Sequence, residues 1–152
     1  MALIAATLGH VDPASADTIT YVNDRFGTTL SFPVELFDRR DELPVNGDGA
    51  RFRNDSGAEI AVWGQLNVLD YTPESYEKFL REAEPLDSTI TYRASGKDWL
   101  MLSGLDAGTV FYQRHEFSAE QVIHSFEIRY PVSAKDRFDP LIGAIAASLD
   151  GP

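Results

Sequence analysis

Residues 89–131, TITYRASGKDWLMLSGLDAGTVFYQRHEFSAEQVIHSFEIRYP, decide the fold. β-Branched and aromatic residues are concentrated in four runs, TITYRA, DWLMLSG, GTVFYQRHEF and QVIHSFEIRYP, and the short breaks SGK, LDAG and SAE separate them. Such runs favour a pleated, half-buried backbone, and tight turns join only antiparallel neighbours, so the stretch predicts a four-strand antiparallel meander.

Working outward, ITYVND and GTTLSFP form a first strand pair, with Asn23-Asp24 supplying turn chemistry and Gly27 a bulge or tight turn. ARFRN and AEIAVWGQLN form a second pair around NDSG. The segment between the pairs, VELFDRRDELPVNGDGARF, has little periodicity and reads as a loop. Thr72-Pro73 opens a helix, a capping hydroxyl followed by proline at the first helical position. Tyr76, Phe79, Leu80 and Ala83 recur at helical spacing before Pro85 ends it. In the closing segment Phe138, Leu141, Ile142, Ile145 and Leu149 make one apolar stripe, and Asp139-Pro140 predicts the start of the regular helix, after a short turn led by Ser133. The class is α+β: an antiparallel sheet of hairpins and a meander, packed by two helices as an α/β/α sandwich.

Symmetric closure of the hairpin at SAEQ places His115 opposite His124, Phe117 opposite Val122 and Gln113 opposite Phe126. All lie on one face, since alternate strand residues share a face. The LDAG turn adds Leu100 and Leu102 to that face, beside Gln113 and Phe111. The resulting apolar surface suits the C-terminal helix. Two imidazoles on opposite strands are half of a zinc or copper site. No third histidine, cysteine or carboxylate falls beside them, so His115 and His124 read as fillers at the core's edge, hydrogen-bonded to backbone or to each other, with a metalloprotein or hydrolase centred on the pair as the less favoured alternative. The other face carries Ile90, Tyr92, Trp99, Met101 and Tyr112, followed by Arg114, Glu116, Glu127 and Arg129, with a diagonal Arg114–Glu127 pair. The first helix is expected to cover its aromatic end. The functional alternative is an open surface for a partner or apolar ligand, made of Tyr92, Trp99, Met101, Tyr112 and Arg114, with Arg114 beside Trp99 as a cation–π handle.

At 152 residues the chain has room for one core. Its 24 acids against 13 bases give a formal net charge of -11, which argues against nucleic acid or an anionic membrane as partner. With no cysteine there are no disulfides, thiolate metal sites or cysteine nucleophiles. No nucleophile elbow, Walker loop, zincin helix or dinucleotide fingerprint occurs. Asn46, Asp48, Asn54 and Asp55 in NGDGARFRNDSG fail calcium-loop spacing and read as turn residues. At the N-terminus an apolar run, Ala2 to Leu8, leads to Ala14-Ser15-Ala16 and Asp17. This resembles the back half of a secretory signal peptide cleaved after Ala16, although no Lys or Arg precedes the run. Residues 1–16 read as a signal-peptide remnant or disordered tail, and 17–152 as a single α+β domain outside the cytoplasm. No segment is long and apolar enough for a membrane span.

YVNDRFGTTLSFPVELF resembles the opening of a family of small exported proteins of alphaproteobacteria and their relatives, which has no assigned activity. NGDGARF, TYRASGKDWLMLSG, FYQRHEF, VIHSFEIRYP and FDPLIGAIAASL resemble later blocks, so the likeness runs from about Tyr21 to Leu149. More loosely, the strand ending in proline and the closing helix are similar to the PsbP/Mog1-like fold, an antiparallel sheet between helices whose members act mainly as binding or assembly factors. The resemblance carries no catalytic residue and no cofactor. It implies a non-enzymatic periplasmic or secreted protein, an interaction or assembly module of the cell envelope, while the aromatic face itself carries the alternative of a small-ligand-binding protein. The envelope partner or ligand and the oligomeric state are not specified by sequence.

Overall fold

The computed structural model describes residues 17–41, 46–83 and 88–152. The readings of residues 1–16 and of Pro85 lie outside these. In chain order the elements are β1 (Thr18–Val22), β2 (Thr29–Pro33), β3 (Arg39–Arg40), β4 (Gly49–Arg53), β5 (Glu59–Leu66), α1 (Pro73–Ala83), β6 (Thr89–Ser95), β7 (Trp99–Asp106), β8 (Thr109–Phe117), β9 (Val122–Pro131) and α2 (Lys135–Ala147). The first hairpin, β1–β2, is a separate two-stranded sheet. The other strands form an antiparallel seven-stranded sheet in the order β3-β4-β5-β9-β8-β7-β6. The architecture is α+β, as the patterning predicts. The hairpins and the meander fall where the turn residues place them. The segment after β2, expected as loop, also holds a 3-10 turn at Val34–Leu36 and the short strand β3.

The join between the second hairpin and the meander is β5 against β9, from Glu59↔Arg129 to Leu66↔Val122. β5 therefore lies inside the sheet, third from one edge, and the chain must cross three strands to start β6 at the far edge. α1 makes that crossing. Its start is capped as expected: the Ser75 N–H donates to Thr72 Oγ1 (3.2 Å) and the Thr72 N–H to Ser75 Oγ (3.0 Å). Tyr76 and Leu80 of α1 pack on Leu100, Leu102, Ile123, Phe117 and Ile90. Phe79 and Ala83, expected on the same stripe, face solvent. The buried Glu77 supplies the rest of the anchor, through Arg81 (2.8 Å) and Arg93 of β6 (2.5 Å). Burial alone raises the Glu77 carboxyl pKa, but the hydrogen bonds from Arg93 and Arg81 outweigh it and hold the group below its ordinary range.

The opposite face is covered by α2 and the β1–β2 hairpin. Leu30, Phe32, Phe52, Ile60, Val62, Phe126, Ile128, Tyr130, Phe138, Ile142, Ile145 and Leu149 form one continuous core there. Its aromatic rings meet edge-on or stacked, as in Phe32–Phe52 (5.0 Å) and Tyr130–Phe138 (4.9 Å). α2 begins earlier than the Asp139-Pro140 pair predicts, at Lys135, directly after a 3-10 turn at Val132–Ala134. Asp139 has a different job from capping. It accepts the Tyr130 hydroxyl (2.6 Å) and pairs with Lys135 (3.0 Å), which ties α2 to β9. Pro140 sits inside the helix, where its missing N–H leaves one main-chain bond unmade.

Candidate functional site

The register of the β8–β9 hairpin settles where the histidines go. The Gln121 N–H donates to the Ser118 carbonyl (3.3 Å), Gln121 adopts φ 61°, and the Ser118 N–H returns to the Val122 carbonyl (2.9 Å). This is a loop of odd length, a turn followed by a left-handed residue, and not the symmetric closure that SAEQ suggests. Every pair slips by one: His115 faces Ser125, Glu116 faces His124, Phe117 faces Ile123 and Gln113 faces Glu127. A slip of one residue exchanges faces. His115 and His124 therefore lie on opposite sides of the sheet, and no single ion can be bound by both.

Each ring is instead a satisfied core group, bonded to side-chain hydroxyls and other oxygens rather than to the other ring. His115 is fully buried beneath α1, its ring edge-on to Tyr76 (5.1 Å) and Trp63 (6.2 Å). Its Nδ1 meets Ser125 Oγ (2.8 Å) and its Nε2 meets Gln113 Oε1 (3.4 Å). Burial pushes its pKa from 6.5 down to about 3. Gln113 donates onward to Glu127, which accepts from Arg129, which in turn pairs with Asp106. His124 is buried on the α2 side. Its Nδ1 meets Thr28 Oγ1 (2.8 Å), its Nε2 meets the Pro152 main-chain oxygen (3.0 Å), and Gly151 lies against the ring so closely that a Cβ there would come within 2.5 Å of both nitrogens. Gly64, opposite His124 on β5, makes room for the β1–β2 turn to descend onto the sheet: a Cβ there would meet Phe26 at 2.5 Å and Thr28 at 2.6 Å.

The slip also changes the mixed face. Tyr92, Trp99, Met101, Tyr112 and Arg114 do share one side of β6, β7 and β8, through the pairs Tyr92↔Ser103, Ser103↔Tyr112, Met101↔Arg114 and Trp99↔Glu116. Glu127 and Arg129 leave it for the α1 side. A register shift between Ile90 and Tyr92 sends Ile90 there too, into the α1 cluster. The two helices exchange their expected places. α1 lies over Leu100 and Leu102, not over the aromatic residues, and α2 takes the side opposite His115. Coverage by α2 reaches Tyr112 and stops, leaving Trp99 and Met101 part-exposed and Tyr92 54% exposed.

Within this surface Arg114 stacks on the Trp99 ring, with its guanidinium carbon 4.9 Å from the centroid. Its charge is held by Glu116 (2.8 Å), two residues along the same strand, and not by Glu127. Glu116 is the member that sequence reading left out of the site. Its i, i+2 spacing from Arg114 was the available signal. The Tyr112 hydroxyl donates to Met101 Sδ, and burial raises its pKa despite the nearby Arg114. A concavity of about 190 Å³ adjoins the row, lined by Ser103, Leu105, Val110, Val132 and Lys135 among others. That volume is below the ~300 Å³ usual for drug-sized ligands, and none of the five row residues lines it. Around the turns Asn46, Asp48, Asn54 and Asp55, the Asn54 carboxamide oxygen accepts from the Ser56 and Ala58 N–H groups (3.0 Å each), and Asp55 pairs with Arg39 (2.9 Å). Among the described residues no cluster of three His, Asp or Glu is placed to hold a metal.

No family model and no curated protein matches the chain. Among solved structures it is similar to the solution structure of cyanobacterial PsbP (CyanoP) from Synechocystis sp. PCC 6803. The likeness has a TM-score of 0.63 at 12% identity and covers 97% of this chain and 98% of that one. At this identity what is shared is the fold: the chain has a PsbP-like architecture. No helix among the described residues is long and apolar enough to cross a membrane.

Proposed function

We propose that the protein is a non-enzymatic, exported interaction or assembly module of the cell envelope, periplasmic or secreted, and that it meets its partner through Tyr92, Trp99, Met101, Tyr112 and Arg114. The observation that carries this reading is the aromatic row on β6–β8, which α1 does not cover and which the α2-side core reaches only at Tyr112, leaving Trp99 and Met101 part-exposed and Tyr92 exposed. Contiguous apolar surface rimmed by polar groups marks interaction sites, and Trp, Tyr and Arg are the side chains that most often anchor them. The exported family that the sequence blocks resemble supports the location, as does the small-x-small triplet before Asp17. The PsbP-like fold is compatible with a binding role and does not fix one. The second reading, a small-ligand protein using the same row, has the cation–π stack of Arg114 on Trp99 in its favour.

The test is capture from an extracytoplasmic extract of the source organism, with the unaltered chain and a Tyr92→Ser/Trp99→Ser variant as parallel baits. A stoichiometric partner held by the first and lost by the second, at equal thermal stability, supports the interaction module. Equal capture by both baits removes the aromatic row from the proposal. No partner, together with a melting temperature that small apolar molecules raise, transfers the row to the ligand-binding reading.

A further inference from the structure

A second exposed apolar feature lies at one end of the sheet, apart from the aromatic row. The turn between β5 and α1 holds Val68 77% exposed and Leu69 69% exposed, with Leu66 (54%) before it and Phe79 of α1 (45%) behind it. Isolated apolar residues on a surface are ordinary, but this turn is built to present them. The Asn67 carboxamide clamps it from both sides, donating to the Tyr71 carbonyl (2.9 Å) and accepting the Tyr71 N–H (2.8 Å). The Asp70 N–H closes on the Asn67 carbonyl (3.1 Å), with Asp70 in the left-handed region at φ 52°. The Asn67 N–H ties the turn to the β8–β9 turn through the Gln121 carbonyl (2.8 Å). Behind the turn Phe79 stacks on Tyr76 (5.7 Å) and lies tilted against Tyr71 (5.5 Å), and Tyr76 meets Phe117 (5.7 Å), so the tip stands on the buried α1 cluster. A preorganised apolar tip loses little conformational entropy on docking.

The charges around the tip select the occupant. Asp70 in the turn, Glu74 in the first turn of α1 and Glu120 in the adjoining β8–β9 turn are all exposed, and among the described residues none is in an ion pair. Lys78 is the nearest base in sequence, and Arg81 and Arg93, the two further bases that share a concavity with Glu74, are both paired with Glu77. An isologous contact with a second copy would set these carboxylates against themselves, and an anionic bilayer would repel them along with the net charge of -11. We infer that the Leu66–Asp70 turn is a docking knuckle for a protein partner that offers an apolar pocket rimmed by lysine or arginine. This surface is separate from the aromatic row, so either can fail without the other.

The experiment pans a displayed random-peptide library on the full chain and counter-selects on a Val68→Ser/Leu69→Ser variant. The expected result is enrichment of sequences combining Lys or Arg with Leu, Phe or Trp. A synthetic peptide of the enriched sequence then binds the unaltered protein, loses at least about tenfold in affinity for the double variant, and weakens with added salt. Asp70→Asn/Glu74→Gln/Glu120→Gln weakens it several-fold. Because this triple variant touches no core contact, it keeps the test valid if the double variant melts early. Tyr92→Ser/Trp99→Ser leaves the binding unchanged. The inference is overturned by a library that yields no enrichment over the counter-selection, or by peptides that bind the double variant equally well. It is also overturned by phosphatidylcholine vesicle binding or self-association in sedimentation that the double variant abolishes.

Discussion

On the α2 side of the seven-stranded sheet, β9 buries Phe126, Ile128 and Tyr130 against Phe32 and Phe138. On the α1 side the same strand and its neighbour bury Ser125, His115 and Gln113. The α2 side coheres by area: large rings, edge-on contacts, and a helix and a hairpin that both contribute apolar side chains. The α1 side coheres by direction. Tyr76 and Leu80 supply a small apolar cluster, and the rest is a chain of hydrogen bonds and ion pairs whose partners must stay in place. Apolar contact is tolerant of small shifts, whereas a buried polar group that loses its partner costs the full desolvation of that group. The two sides should therefore break differently. Phe126→Ala should show the largest effect, about 3–5 kcal/mol lost in urea unfolding at neutral pH, because a fully buried ring leaves a cavity between β9 and its cover. A loss below ~1 kcal/mol would mean that the α2 side is not the dominant core.

The α1 side should break with acid. The folded protein keeps His115 neutral down to about pH 3, while the unfolded chain takes up that proton near 6.5. Between those values the unfolded state binds more protons, so stability is complete above the upper value and is lost as pH falls through the window. At pH 5 the loss from this one group is roughly 2 kcal/mol. Replacing it with a group that does not titrate, His115→Gln, should lower stability at neutral pH but flatten the decline between pH 7 and 5. An unchanged slope would show that other groups govern the acid response.

The α2 side was far more legible in sequence than the α1 side. The Phe138, Ile142, Ile145 and Leu149 stripe and the alternation along β9 are patterns of burial, which apolarity reports directly. The hairpins were legible because Gly, Asn and Asp advertise their turns. The β8–β9 register was not, because its left-handed position is filled by Gln121 where glycine would have given the signal. With that residue in the left-handed region, His124 falls on the face opposite His115. The β5–β9 pairing joins strands far apart in sequence, and no local pattern encodes it. The aromatic row shares one face because the LDAG register is the one the structure has and the β6 irregularity displaces only Ile90. The row is not covered by α1 because that helix is anchored on the other face through Glu77 on Arg93, which apolar spacing does not reveal.

That anchor gives a smaller effect. Glu77→Gln keeps the side-chain volume and removes the charge that two half-exposed arginines share, so about 1–2 kcal/mol should be lost, the arginines being free to return to water. Hydrogen exchange should accelerate first in α1 and β6, with the β9 core amides still protected. Uniform acceleration would show that the two sides unfold as one unit and that the contrast between them is only one of composition.

The smallest expected effect is the one that bears on function. Tyr92 shares a strand with Arg93, yet its ring points to the uncovered side while Arg93 points to α1. Tyr92→Ser should therefore change stability by no more than about 0.5 kcal/mol, since it removes surface that water already reaches. Residues that hold the fold and residues available to a partner then alternate along a single edge strand. If Tyr92→Ser is as costly as a core substitution, the row is structural and the interaction surface must be sought elsewhere. If it is silent in unfolding but abolishes partner capture, the aromatic ring is kept for contact, because the fold gains nothing from exposing it.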